Sequence, residues 1–212
     1  MMKALCLFIS LVSFINTFSQ PKRSWTRKGY EPGYIITNNN DTLYGYLKDR
    51  TSLPFGKLYN NVRVKSHERG LTGGYSPYEI NKYCINNQCF ISMWYKEESF
   101  FLNFDYYALE GEGEKRFMKV IVDGYLSLYH KEYIDGEDGY VSYIPYFKRE
   151  DEYVLQRATQ GILGLKKKQL SLYFKDCPSL IEKMNNNEFT TSLELVNYYN
   201  QWIEDNHRLS PD

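Results

Sequence analysis

Between residues 33 and 48, apolar and aromatic positions fall into two β-favouring runs, Tyr34-Ile35-Ile36-Thr37 and Thr42-Leu43-Tyr44-Gly45-Tyr46-Leu47. They flank Asn38-Asn39-Asn40-Asp41, side chains that tolerate turn conformations, so the pattern predicts a hairpin. In residues 58–65, Val62 and Val64 alternate with Arg63 and Lys65, the period of a strand covered on one face, and residues 70–77 read as a loop. Residues 79–95 read as a second hairpin turning at Asn86-Asn87, and residues 99–107 as one aromatic strand. After the break Gly111-Glu112-Gly113-Glu114, Met118, Val120 and Val122 alternate in a further strand. A last hairpin joins Tyr125-Leu126-Ser127-Leu128-Tyr129 to Val141-Ser142-Tyr143-Ile144 through Asp135-Gly136-Glu137-Asp138-Gly139.

From Leu165 the apolar spacing changes to three and four. Leu165, Leu170, Tyr173-Phe174 and Cys177 define a helix face, with Lys166-Lys167-Lys168 solvated opposite. Pro178 suits a helix start, giving a short second helix over residues 179–184. Glu194 lies three residues after Thr191, as in a capping box, ahead of a third helix with Leu193, Val196, Tyr199 and Ile203 as its buried stripe. The expected fold is α+β: an antiparallel β-rich sheet or partly open barrel over residues 20–164. A C-terminal bundle of two or three helices, residues 165–212, packs on the same domain.

Residues 1–19 read as a cleaved export signal. Lys3 supplies the charge, residues 4–15 an apolar run too short to span a bilayer, and Thr17-Phe18-Ser19 a small-x-small cleavage site. Export argues against kinases, nicotinamide enzymes and nucleic-acid readers. Without Lys3 the 26 basic residues fall to 25 against 26 acidic, about −1, so neither a polyanion partner nor nucleic acid is supported. Nothing later resembles a membrane span, so the mature chain is not expected to be an integral membrane protein. The 21 tyrosines and 12 phenylalanines suit half-buried pleated surfaces.

Setting Cys6 aside with the leader leaves Cys84, Cys89 and Cys177. If Asn86-Asn87 is the turn, Ile85 faces Gln88 and Cys84 faces Cys89 as a non-hydrogen-bonded pair, with Cα atoms ~4.5 Å apart. That separation accepts a disulfide, although two unbonded packed thiols fit the same pattern. CxxxxC lacks a second ligand pair, and His67, His130 and His207 show no metal-binding spacing, so no metal or other cofactor is expected. Cys177, before Pro178, reads as a buried apolar residue rather than an activated thiol.

The runs Gly33-Tyr34-Ile35-Ile36, Asp41-Thr42-Leu43-Tyr44-Gly45-Tyr46-Leu47, Gly124-Tyr125-Leu126-Ser127-Leu128-Tyr129, Leu172-Tyr173-Phe174-Lys175-Asp176-Cys177-Pro178 and Val196-Asn197-Tyr198-Tyr199-Asn200 resemble a family of uncharacterised exported proteins of Bacteroidota-type bacteria. The resemblance covers nearly all of the mature chain. It implies a periplasmic, cell-surface or extracellular setting and transfers no site residues.

No catalytic residues are assigned. The acids Asp135, Glu137 and Asp138 lack calcium-loop spacing, and GxSxG, GxGxxG and the Walker pattern are absent. The candidate binding residues are the aromatics Trp94, Tyr95, Phe101, Tyr106 and Tyr107, on which sugar rings or a partner's side chains can stack; the competing reading puts them in the core. The expectation is a non-enzymatic envelope module binding a protein or a glycan. The alternative is a small secreted hydrolase for glycan or peptide, with acids such as Glu97, Glu98, Asp105 and Glu110, or Cys177 with His130 or His207.

Overall fold

The computed structural model describes residues 29–51, 57–66, 72–101, 103–135 and 140–209. Residues 1–19, expected as a leader, and His67, Glu137, Asp138 and the His207 side chain lie outside the described residues. The fold is α+β: an open 11-stranded antiparallel sheet followed by three C-terminal helices.

The first hairpin pairs β1 (Glu31–Thr37) with β2 (Thr42–Arg50), and β3 (Leu58–Ser66) and β4 (Thr72–Tyr75) extend the sheet on that side. On the other side β1 pairs with β5 (Ile80–Ile85), then come β6 (Gln88–Phe100), β8 (Glu114–Val122), β9 (Leu126–Asp135), β10 (Tyr140–Arg149) and β11 (Gln156–Arg157). β7 (Asn103–Tyr107) folds back on β6 alone. β1 and β5 approach so closely that a Cβ at Gly33 would sit 2.2 Å from the Cys84 carbonyl oxygen.

Two local expectations change. The stretch expected as a loop at residues 70–77 contains β4, a short strand on β3. Residues 99–107, expected as one strand, contain a reversal that pairs Phe100 with Asn103. The aromatic run advertised no turn because Phe101, rather than an asparagine or glycine, takes the left-handed conformation at φ +45°. By contrast, Asn86 and Asn87 hold positive φ at the β5–β6 turn, as expected from their tolerance of it.

The helices α1 (Lys167–Tyr173), α2 (Pro178–Asn185) and α3 (Ser192–Leu209) share a core with the β9–β10 end of the sheet, where Leu126, Leu128 and Phe147 meet Phe174, Leu180 and Tyr199. Pro178 opens α2. The capping box precedes α3: the Thr191 backbone N–H and hydroxyl donate to Glu194, whose own N–H donates to Thr191 Oγ1. Leu193 is exposed, however, and Leu195 takes its expected place in the core beside Val196 and Tyr199. A helix turns 100° per residue, so one helix face runs 195, 196, 199 and 203 and leaves 193 outside it.

Asn200 ties helix to sheet. Its Oδ1 accepts from the Leu126 N–H at 2.8 Å and its Nδ2 donates to the Leu126 carbonyl at 2.9 Å, so one amide stands in for a neighbouring strand. A Cβ at Gly124 would approach Asn200 Nδ2 to 2.9 Å, which keeps that position small.

Candidate ligand-binding cavity

Strand alternation along β2 turns Leu47 and Asp49 to the inner face and Tyr44 and Tyr46 to solvent. Continued regularly, it would put Arg50 outside. The β2–β3 register shifts between Lys48 and Arg50, and such a bulge re-aims a side chain. Asp49 and Arg50 are both buried in consequence.

Arg50 then reaches across the inner face to β9, where its Nη2 lies 2.7 Å from Glu132 Oε2. The guanidinium also donates through Nε and Nη2 to the two carboxylate oxygens of Asp49, each at 3.0 Å. Tyr83 donates its hydroxyl to Asp49 Oδ2 at 3.1 Å, and Lys119 Nζ lies 3.8 Å from Glu132. Burial alone would lower the guanidinium's pKa. The Asp49 hydrogen bond and the charges of Asp49 and Glu132 outweigh it and hold Arg50 above the ordinary arginine range.

Beside this cluster the rolled sheet lines a cavity of about 920 Å³ that is open to solvent. Its wall includes the aromatic group Tyr83, Phe90 and Phe117, in which Tyr83 stacks on Phe90 at 4.6 Å and meets Phe117 edge-on at 4.9 Å. Asn60, Asn61 and Ser76 add neutral hydrogen-bonding groups, and Lys57 and Lys115 add cations. Tyr78 meets Trp94 edge-on at 5.7 Å, and Lys115 Nζ lies 5.6 Å from the Trp94 ring.

The five aromatics singled out in the sequence are therefore dispersed. Trp94 lies behind the cavity wall, against Tyr78 and Lys115, which line it. Tyr95 and Tyr106 are buried on the other face with Tyr146, the Tyr95 and Tyr146 hydroxyls 3.1 Å apart. Burial and the Tyr146 hydrogen bond push the Tyr95 phenol well above the usual tyrosine range, so it stays neutral. Tyr107 is half-buried opposite Lys96, and Phe101 projects from the β6–β7 tip. No single surface gathers all five.

Cys84 pairs with Cys89 across the hairpin, the Cα atoms 4.1 Å apart and the sulfurs at bonding distance. Cys177 is fully buried among the helices, and His130 stacks instead on Tyr143, ring centroids 3.9 Å apart. Glu97, Glu98, Asp105 and Glu110 are exposed. The acids that do line the cavity are Asp49, Glu114 and Glu132, of which Asp49 and Glu132 are buried and Glu114 lies at the exposed start of β8. The one local hint was the period-two pattern, which turns Asp49 inward after Leu47. No pattern in the chain announced Glu132, which becomes a neighbour only when the sheet rolls.

No protein-family model matches this chain, and no match was found among curated proteins or solved structures.

Proposed function

We propose that this protein is a non-enzymatic binding module of the bacterial cell envelope that holds a glycan in the cavity of its rolled sheet. The observation that carries this reading is the cavity itself. Its volume lies within the range of small-molecule sites, and it combines an aromatic wall with separated neutral donors and acceptors. Sugar rings present apolar faces that stack on Tyr78, and hydroxyls that exchange hydrogen bonds with Asn60, Asn61 and Ser76. The Asp49–Arg50–Glu132 cluster supplies a fixed polar wall whose charges largely satisfy one another.

Export is part of the proposal. The bonding-distance pair Cys84 and Cys89 is compatible with an oxidising compartment, and among the described residues no helix is long and apolar enough to cross a membrane. One observation favours a glycoside hydrolase instead: two buried carboxylates, Asp49 and Glu132, flank one cavity. Both accept from the same guanidinium nitrogen, so the Arg50 cation, rather than a scissile bond, occupies the space between them.

Screening on a glycan array, followed by calorimetry on the best ligand, tests the reading. Tyr78→Ala and Asn60→Ala should each weaken binding by about tenfold, the loss of one stacking or hydrogen-bonding contact. An empty array, or affinity untouched by both substitutions, would overturn it. Release of reducing ends that stops in Glu132→Gln would move the assignment to the hydrolase.

A further inference from the structure

Among the described residues, five non-glycine positions take positive φ: Asn40, Asn86, Asn87, Asn187 and Phe101. Four are asparagine, the residue that accepts the left-handed region at least cost. At the β6–β7 tip a phenylalanine occupies that conformation, where folding alone favours asparagine or glycine. Its ring gains nothing from the core, being 88% exposed, with Phe100 82% and Phe104 48% exposed beside it. Backbone preference and burial thus both argue against an aromatic apex, and something outside the fold accounts for it.

Together the three rings present about 400 Å² of apolar surface on a convex hairpin end. A stable protein interface needs about 800 Å² from each partner, so the tip is too small to hold a second copy by itself. A convex apolar apex needs no complementary pocket to enter the boundary between headgroups and acyl chains, where amphipathic elements seat about 5–10 Å deep. The stem supplies a sign: Glu97, Glu98 and Asp105 are exposed beneath the rings, while Lys96 pairs with Glu98 at 2.6 Å and with Glu112 at 2.5 Å. The stem is net negative and would be repelled by an anionic surface.

We propose that the β6–β7 tip is a lipid-insertion wedge that seats Phe100, Phe101 and Phe104 in a zwitterionic bilayer surface. It uses no cavity residue and stands independently of the glycan reading.

The test is flotation of the purified protein with phosphatidylcholine vesicles, and with vesicles in which a third of the lipid is phosphatidylglycerol. The wild-type chain should float with the first and bind the second several-fold less. Phe101→Asn places at the turn the residue this chain uses at its other left-handed positions, so it should keep or raise the melting temperature while lowering vesicle binding at least tenfold. Phe100→Ser should lower binding with the melting temperature unchanged. Absence of flotation, flotation of Phe101→Asn at the wild-type level, or stronger binding to the anionic vesicles would overturn the proposal. So would a concentration-dependent dimer that Phe101→Asn abolishes, since that would assign the tip to a second copy.

Discussion

Arg50 Nη2 and Glu132 Oε2 lie 2.7 Å apart although β2 and β9 are five strand steps distant in the order β2-β1-β5-β6-β8-β9. At about 4.8 Å per step a flat sheet would separate those strands by ~24 Å. The contact therefore measures how far the sheet rolls, and it bridges the cavity that the roll creates. Both side chains are almost fully shielded, at 4% and 7% exposure. Removing the cation alone deprives two buried carboxylates of the guanidinium they share. Arg50→Met should destabilise the fold by about 3–5 kcal/mol in urea unfolding. Combining it with Glu132→Gln should recover part of that loss, because one of the two carboxylate charges is removed with its partner. A double variant as unstable as the sum of the singles would show that the ion pair does not join the two sides of the sheet.

Acid should weaken the fold through His130. Burial, with the Lys119 charge second, lowers this imidazole from 6.5 to about 4. Between those values the unfolded chain binds a proton that the folded chain refuses. The contribution is fully present above about pH 6.5, is lost as pH falls toward 4, and changes no further below that. The slope in that window should approach about 1.4 kcal/mol per pH unit. His130→Gln keeps a planar polar group against Tyr143 and should flatten this part of the profile. Melting temperatures from pH 7 to pH 4 that fall equally in both proteins would assign the acid sensitivity elsewhere.

Asn200 should matter more than a half-buried polar residue on a C-terminal helix ordinarily does. Asn200→Ala leaves both backbone groups of Leu126 without their partner, at an expected cost of about 2–3 kcal/mol by denaturant titration. Asn200→Asp keeps the acceptor for the Leu126 N–H but sets a carboxylate against the Leu126 carbonyl, and should not restore stability. Hydrogen exchange offers a local readout: the Leu126 amide should lose protection in both variants.

Much of the fold was legible because its determinants are local. The turn at Asn86-Asn87 sets the β5–β6 register, that register puts Cys84 opposite Cys89, and the sulfurs meet. Thr191 with Glu194, and Pro178 at a helix start, are likewise decided within four residues. The reversal at Phe101 is not legible in the sequence because its residue runs against the turn preferences that make other turns readable. Trp94 packs against the cavity residues Tyr78 and Lys115, whereas Tyr95 and Tyr106 turn into the core; an aromatic strand has the same composition on either face.

The sequence by itself determined most of the elements, the hairpin pairing at the asparagine turns, the Pro178 start of α2, the capping box before α3 and the opposition of two cysteines, since each follows from turn chemistry and period over a handful of residues. Only the tertiary structure decided that an Asp-Arg pair at the end of β2 would be buried, that Glu132 would meet it, and that a cavity would open beside them. Those outcomes depend on the summed twist of many strands and on one bulge. Curvature accumulates over the whole sheet, so no local window of the chain contains it.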